Sequence, residues 1–157
     1  MLNEFVNEKE KNGRNLLKDV FKPNDYSIYF ADYQKEEVDF IMFSKEGKIY
    51  AGDIKTYRDV NNPRPHNKFK DYQVDYKKLL AITEKAHKIN GIPLLVVFFS
   101  DQLMIWNLDM VDWQSTKKDV LTNAKGGNYG QSKTLEPQAF LNLEQAYYIN
   151  KNINMFS

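Results

Sequence analysis

Two aspartates and a lysine, Asp39, Asp53 and Lys55, are the residues of this sequence whose types and spacing most clearly suggest chemistry. They lie in the stretch Glu37–Tyr57, where two apolar runs flank the segment Ser44–Lys48, and this pattern predicts an antiparallel hairpin. If the hairpin closes through a three-residue loop that ends on a glycine at positive φ, Asp39 lies directly opposite Asp53.

Directly opposed residues of a hairpin point to the same face, and Lys55 shares that face because side chains alternate along a strand. Opposed carboxylates repel each other and are costly to desolvate. Such a pair is therefore stable only if it is exposed, protonated or joined by a cation. These residues favour a divalent metal ion held between Asp39 and Asp53.

The elements that must position this group can be predicted from apolar periodicity. Residues Leu2–Phe21 are predicted to form a helix, and Tyr26–Ala31 a strand that leads into the hairpin. A second helix is predicted over Phe69–Lys88, followed by a hairpin of two strands over Pro93–Ser100 and Gln102–Leu108. The sequence therefore predicts an α/β fold with a central mixed sheet flanked by helices.

The pattern weakens after about residue 111, and Pro137–Ile149 is predicted to form a last helix. A chain of 157 residues without repeats or a clear linker is expected to form one domain over residues 1–157, with a C-terminal extension from about 111.

Composition excludes several classes of protein. The absence of cysteine rules out disulfides and cysteine-ligated zinc or iron–sulfur sites. The longest apolar run, Ile92–Phe99, is too short to cross a bilayer, and the first residues are charged, so a cytoplasmic protein with no membrane partner is expected. A net charge of only +1 means that a nucleic acid would have to be bound by a local basic patch.

A carboxylate on one strand, then Asp-x-Lys on the next, with a helix before and a helix and buried strand after, resembles the PD-(D/E)XK nuclease superfamily. The resemblance covers roughly the first two-thirds of the chain and implies a restriction-endonuclease-like fold with an αβββαβ core. It makes Asp39 and Asp53 the metal-binding carboxylates and Lys55 the motif lysine. Val38 stands where the motif's name has proline.

The resemblance also suggests two supporting residues. Glu10, on the first helix, corresponds to an acid that some members add to the metal site. Gln73, at the predicted start of the second helix, corresponds to a glutamine found in several branches. Some exonuclease-like members carry the pattern Gln-x-x-x-Tyr at this point. In this chain Tyr76 follows Gln73 with a spacing one residue shorter than in that pattern, and Lys77 occupies the position of the pattern's tyrosine.

The activity implied is that of a Mg²⁺-dependent (or Mn²⁺-dependent) endodeoxyribonuclease. Asp39, Asp53 and the carbonyl of Ile54, with Glu10 as a further ligand, would bind the metal. Lys55 would orient or deprotonate the attacking water, or stabilise the anionic transition state, and these roles stay open.

Six basic residues outside this group are candidates for binding the phosphates of DNA, the expected partner. They are Arg58, Arg64, Lys68, Lys70, Lys125 and Lys133. Symmetric cutting of both strands would call for a homodimer. The alternatives are a catalytically inactive nucleic-acid-binding module with the same fold, and a purely structural or protein-interaction domain.

Overall fold

The computed structural model describes residues 2–31, 38–57, 64–66, 70–123 and 133–150, with the backbone alone at 2–10, 123 and 148–150. The helices are α1 (Leu2–Val20) and α2 (Tyr76–Lys88), and a 3-10 turn spans Leu143–Gln145. The strands are β1 (Tyr26–Phe30), β2 (Phe40–Ser44), β3 (Ile49–Thr56), β4 (Asp71–Asp75), β5 (Ile92–Phe98), β6 (Leu103–Asn107), β7 (Lys118–Asn123), β8 (Lys133–Asn142) and β9 (Tyr147–Asn150). Neither of these two helices is long and apolar enough to cross a membrane.

The main sheet has six strands in the order β1-β2-β3-β5-β6-β9. The first three strands are antiparallel neighbours, and β5 then runs parallel to β3. Parallel strands cannot be joined by a tight turn, and α2 lies in the connection that carries the chain from β3 back to β5. A smaller antiparallel sheet has the order β4-β8-β7.

Helix α1 covers one face of the main sheet. Leu17 of α1 is fully buried with Phe40 and Met42 of β2 and with alternate residues of β5. Gly13 marks a close crossing of α1 over β3, because an added Cβ there would lie 3.0 Å from a side-chain carbon of Ile54. The absence of a side chain at Gly13 thus lets the helix approach the strand.

Helix α2 and the smaller sheet cover the other face. Leu79, Ile82 and Ala86 form the buried stripe of α2 and pack with Ala51 of β3 and with residues of β4 and β8. The side chain of Asp75 caps the helix by accepting a hydrogen bond from Lys77 N. At the other end Asn90 has a φ of +57°, and Gly91 N donates to Ala86 O at 2.7 Å, which closes the last turn.

The predicted αβββαβ order is confirmed, with β4 as an additional strand before α2. Helix α1, strand β1 and the β5–β6 hairpin lie where the sequence placed them. Two predicted helices were wrong in extent or type. Residues 71–75 form β4, so that α2 begins at Tyr76, and the predicted helix Pro137–Ile149 is instead the end of β8, the 3-10 turn and β9.

Candidate metal and phosphate site

The β2–β3 hairpin brings the two aspartates together. Its loop is Lys45–Gly47, with Gly47 at a φ of +92° and Ser44 N donating to Lys48 O at 2.9 Å. The register then runs to the pair Phe40 and Gly52, so Asp39 and Asp53 follow as neighbours at the far end. The hairpin thus brings Asp39 and Asp53 close together through a loop in which glycine tolerates positive φ, but Asp39 lies just beyond the regular ladder, so the direct opposition of the two side chains stays a prediction.

Hydrogen bonds to the backbone fix both carboxylates. Asp39 N donates to Gly52 O at 2.9 Å and to Asp53 Oδ1 at 3.1 Å. Asp39 Oδ2 in turn accepts from Ile54 N at 2.9 Å. Each carboxylate therefore bonds the backbone of the other aspartate's strand, where the regular ladder between β2 and β3 ends.

Asp53 is the buried member of the pair, with 1% of its surface exposed. Burial raises the pKa of Asp53 to about 6, and the negative charge of Asp39 contributes in the same direction. The positive charges of Lys78 and Lys55 act against this rise in pKa. The ionised form of Asp53 is therefore costly, and nearby cations stabilise it.

Lys78, in the first turns of α2, supplies the nearest of these cations. Its Nζ lies 3.0 Å from Asp53 Oδ2, and 38% of its side chain is exposed. Burial alone would lower the pKa of Lys78, but the charge of Asp53 and its hydrogen bond raise the pKa above the usual value. The ammonium group thus stays charged and half-buried beside the carboxylate pair.

Sequence reasoning did not identify Lys78. One signal was available, because Lys78 lies one turn before Ile82 on the margin of the apolar stripe of α2, where a lysine points toward the sheet. The contact itself depends on how α2 packs on β3, which periodicity does not give.

Lys55 lies two positions beyond Asp53 on β3 and is exposed. Its charge lowers the pKa of Asp53, but less than that of Lys78. The predicted sharing of one face by Asp53 and Lys55 agrees with the alternation along β3, since Ile54 between them packs in the apolar cluster under α1.

Glu10 belongs to α1, but its side chain lies outside the part of the chain described in atomic detail. Helix α1 crosses the face of β3 that carries Ile54, whereas Asp53 faces α2. The assignment of Glu10 to the metal site stays a prediction.

Gln73 does not occupy the helical position that was predicted for it. It lies in β4, is exposed, and its Nε2 is 3.4 Å from Oε1 of Gln138 on β8. The alternation of buried Tyr72 and Val74 with exposed Gln73 explains the strand. A supporting role for Gln73 at the metal site stays untested.

Three of the six predicted phosphate-binding residues lie within the described residues. Arg64 is partly buried, with its guanidinium 4.5 Å from the centre of the Tyr57 ring and 5.4 Å from that of Tyr72. Lys70 and Lys133 are exposed. The other three fall outside the described residues: Arg58, Lys68 and Lys125.

The donor set suits a hard divalent cation. Asp39 and Asp53 offer carboxylate oxygens, the ligands that Mg²⁺ and Mn²⁺ prefer, and Mg²⁺ is commonly bound through one or two carboxylates with water completing its shell. Within the described residues, however, no group of three or more His, Cys, Asp or Glu side chains converges. Among the described side chains, a metal site here would draw on two carboxylates, with backbone oxygen and water as further ligands.

A structural comparison identifies the fold. The chain is similar to Hjc, a Holliday junction resolvase from the archaeal hyperthermophile Archaeoglobus fulgidus, with a TM-score of 0.53, 8% sequence identity, and coverage of 88% of this chain and 94% of that one. No protein-family model and no curated protein matches the sequence. The chain has a restriction-endonuclease-like fold, with a central mixed sheet flanked by helices.

Proposed function

We propose that this protein is a Mg²⁺- or Mn²⁺-dependent endonuclease that hydrolyses phosphodiester bonds in DNA. The observation that carries the proposal is the convergence of Asp39 and Asp53, with two lysines beside them, at the end of a hairpin in a restriction-endonuclease-like fold. Paired carboxylates next to ammonium groups suit the binding of a metal ion and a phosphate together.

Asp39, Asp53 and the carbonyl of Ile54 would hold the cation. Ile54 N points toward Asp39, and the carbonyl of a strand residue projects to the same edge as its N–H, so the Ile54 oxygen lies on the side of the carboxylates. When bound, the metal ion would supply an activated water and offset the charge that develops on the phosphate.

The lysines would act on the substrate. Lys55 is exposed near Asp53, where its ammonium can orient or deprotonate the attacking water or stabilise the anionic transition state. An ammonium group binds phosphate as a point charge, which suits either role.

DNA as the substrate is supported by the fold shared with a Holliday junction resolvase and by exposed basic residues. Lys70 and Lys133 would contact phosphates, as would the remaining members of the predicted set: Arg58, Arg64, Lys68 and Lys125. Cutting both strands of a symmetric substrate would require a homodimer.

The test is cleavage of plasmid, four-way-junction and single-stranded DNA by the purified protein with Mg²⁺, with Mn²⁺ and with EDTA. We expect metal-dependent cleavage that Asp53→Asn reduces by roughly 100-fold or more, because the buried carboxylate would be a metal ligand. Asp119→Asn is the matched control, since Asp119 is an exposed aspartate of β7 in the smaller sheet.

Cleavage that persists in EDTA, or that Asp53→Asn and Asp119→Asn reduce equally, would contradict the proposal. The choice among the three substrates would show which form of DNA the site accepts.

One observation favours a second candidate, a nucleic-acid-binding module without catalysis. Lys78 already supplies a positive charge at Asp53, so the carboxylate pair has a neutralising partner within the chain. This candidate predicts retention of DNA in a gel shift at low salt, weakening as salt rises, with no cleavage under any metal condition.

A further inference from the structure

The ion pair between Lys78 and Asp53 lies at the position that a metal ion would share. Asp53 Oδ1 accepts the hydrogen bond from Asp39 N, and Lys78 Nζ lies 3.0 Å from the other oxygen, Oδ2. One oxygen of the Asp53 carboxylate therefore accepts the backbone hydrogen bond and the other contacts the ammonium group. The residue is only 1% exposed.

The charge of Lys78 acts on both aspartates of the pair. Lys78 interacts electrostatically with Asp39 as well as with Asp53, so its charge lies in the field of both carboxylates. A divalent cation bound by the same two side chains would lie a few ångströms from this ammonium group, and like charges at that distance repel strongly at a half-buried site.

The ammonium group of Lys78 can nevertheless move away from Asp53. Its side chain is 38% exposed and has a flexible four-carbon stem, so the ammonium group has a path to solvent that Asp53 lacks. The Asp53 carboxylate is held by a backbone hydrogen bond from Asp39 N, so the ion pair can open by movement of the lysine side chain without a change in the sheet.

We propose that Lys78 is a positioning residue that competes with the divalent cation for Asp53, so that metal binding requires the ion pair to open. Lys78 offsets the negative charge of the carboxylate pair when no metal is bound and lowers the affinity of the site for metal. The inference rests on the metal-binding part of the proposed function, but not on catalysis.

The test measures Mn²⁺ binding by calorimetry and by the electron paramagnetic resonance signal of free Mn²⁺, in the absence of DNA. We expect Lys78→Met to bind Mn²⁺ about tenfold more tightly than the unmodified protein or better, because a competing positive charge is removed. Lys78→Arg, which keeps the charge, should stay within about threefold of the unmodified protein.

Lys77→Met is the matched control. Lys77 is the preceding residue of the same helix and is exposed, and its charge is not among the main causes of the shifted pKa of Asp53. Its loss should change the Mn²⁺ affinity by less than about twofold. Urea unfolding in EDTA shows which variants are folded, and Lys78→Gln replaces Lys78→Met if the latter does not fold.

An ion pair with a purely structural role predicts the opposite sign, since its loss would disorder Asp53 and weaken Mn²⁺ binding. Unchanged or weaker binding by a folded Lys78→Met or Lys78→Gln variant overturns the proposal, as does a failure of these variants to bind Mn²⁺ at all.

The two proposals fail separately. Tighter Mn²⁺ binding by Lys78→Met without DNA cleavage by the unmodified protein would refute the nuclease and support the competition. Metal-dependent cleavage by the unmodified protein, together with an unchanged Mn²⁺ affinity in Lys78→Met, would support the nuclease and refute the competition.

Discussion

Asp53 combines burial with a neighbouring negative charge, so the folded protein binds its proton more tightly than the unfolded chain does. The pKa of Asp53 rises from 3.8 to about 6 on folding. Between these values the folded state holds a proton that the unfolded state has lost, and the free energy of unfolding therefore falls as pH rises from about 4 to about 6. At neutral pH the ionised side chain costs up to about 3 kcal/mol of stability.

Asp53→Asn is therefore expected to stabilise the metal-free protein while it abolishes metal binding. In EDTA the free energy of unfolding of the variant, relative to the unmodified protein, should increase by roughly 1–3 kcal/mol between pH 4 and pH 8. The variant removes the charged partner of Lys78, but Lys78 is half-exposed, so the lost ion pair lowers the free energy of unfolding only slightly. Urea denaturation at the two pH values measures this difference, and a difference that is constant or shrinks with pH would contradict the expectation.

The aspartate pair could be predicted from sequence and Lys78 could not, for a physical reason. The proximity of Asp39 and Asp53 depends on local information, namely a loop ending at Gly47 and the register of the two strands. The contact of Lys78 with Asp53 depends on the packing of a helix against a strand, and many lysines on a helix have equivalent local patterns.

At the scale of elements, β3 must approach β5 closely next to the site. Gly52 precedes Asp53, and an added Cβ at Gly52 would lie 2.0 Å from Leu94 O, a backbone atom of the neighbouring strand. The absence of a side chain at Gly52 thus allows the parallel pairing on which the position of Asp53 depends.

Gly52→Ala is accordingly expected to destabilise the protein by about 3 kcal/mol or more, because the strands must separate. Gly47→Ala is the matched control: its φ of +92° strains an alanine, but no atom lies within 4 Å of the added Cβ. It should cost only about 1–2 kcal/mol. Urea denaturation of both variants measures how much free energy of unfolding each one loses. A larger loss for Gly47→Ala than for Gly52→Ala would contradict the expectation.

Elements were predicted wrongly where the spacing of apolar residues fits both a helix and a strand, or where strands depend on distant partners. Tyr72 and Tyr76 are four residues apart and fit a helical face, yet Asp71–Asp75 alternates exposed and buried residues as a strand does. The cap at Asp75 was the decisive local signal for where α2 begins. In residues 137–149 the strands depend on pairing with the preceding strand β7 and with β4 and β6, which are distant in sequence.

At the scale of the whole molecule, the C-terminal strands belong to the same core as the candidate site. Leu141 of β8 is 1% exposed and lies in one apolar cluster with Leu79 of α2 and Leu95 of β5. Strand β9 completes the main sheet beside β6. The stretch after residue 111, expected from sequence to be a C-terminal extension, supplies strands to both sheets.

We therefore expect Leu141→Ala to destabilise the entire chain by about 2–5 kcal/mol, since it leaves a cavity in a core shared by both sheets. Leu135→Ala is a matched control on the same strand, because Leu135 is 67% exposed, and should cost less than about 0.5 kcal/mol. Trp106 and Trp113, the two tryptophans of the sequence, are both buried in this cluster, so their fluorescence reports its unfolding. Fluorescence and circular dichroism should show one coincident transition for Leu141→Ala, as for a single domain. Two separate transitions would mean that the C-terminal strands form an independent unit and that the site does not depend on them.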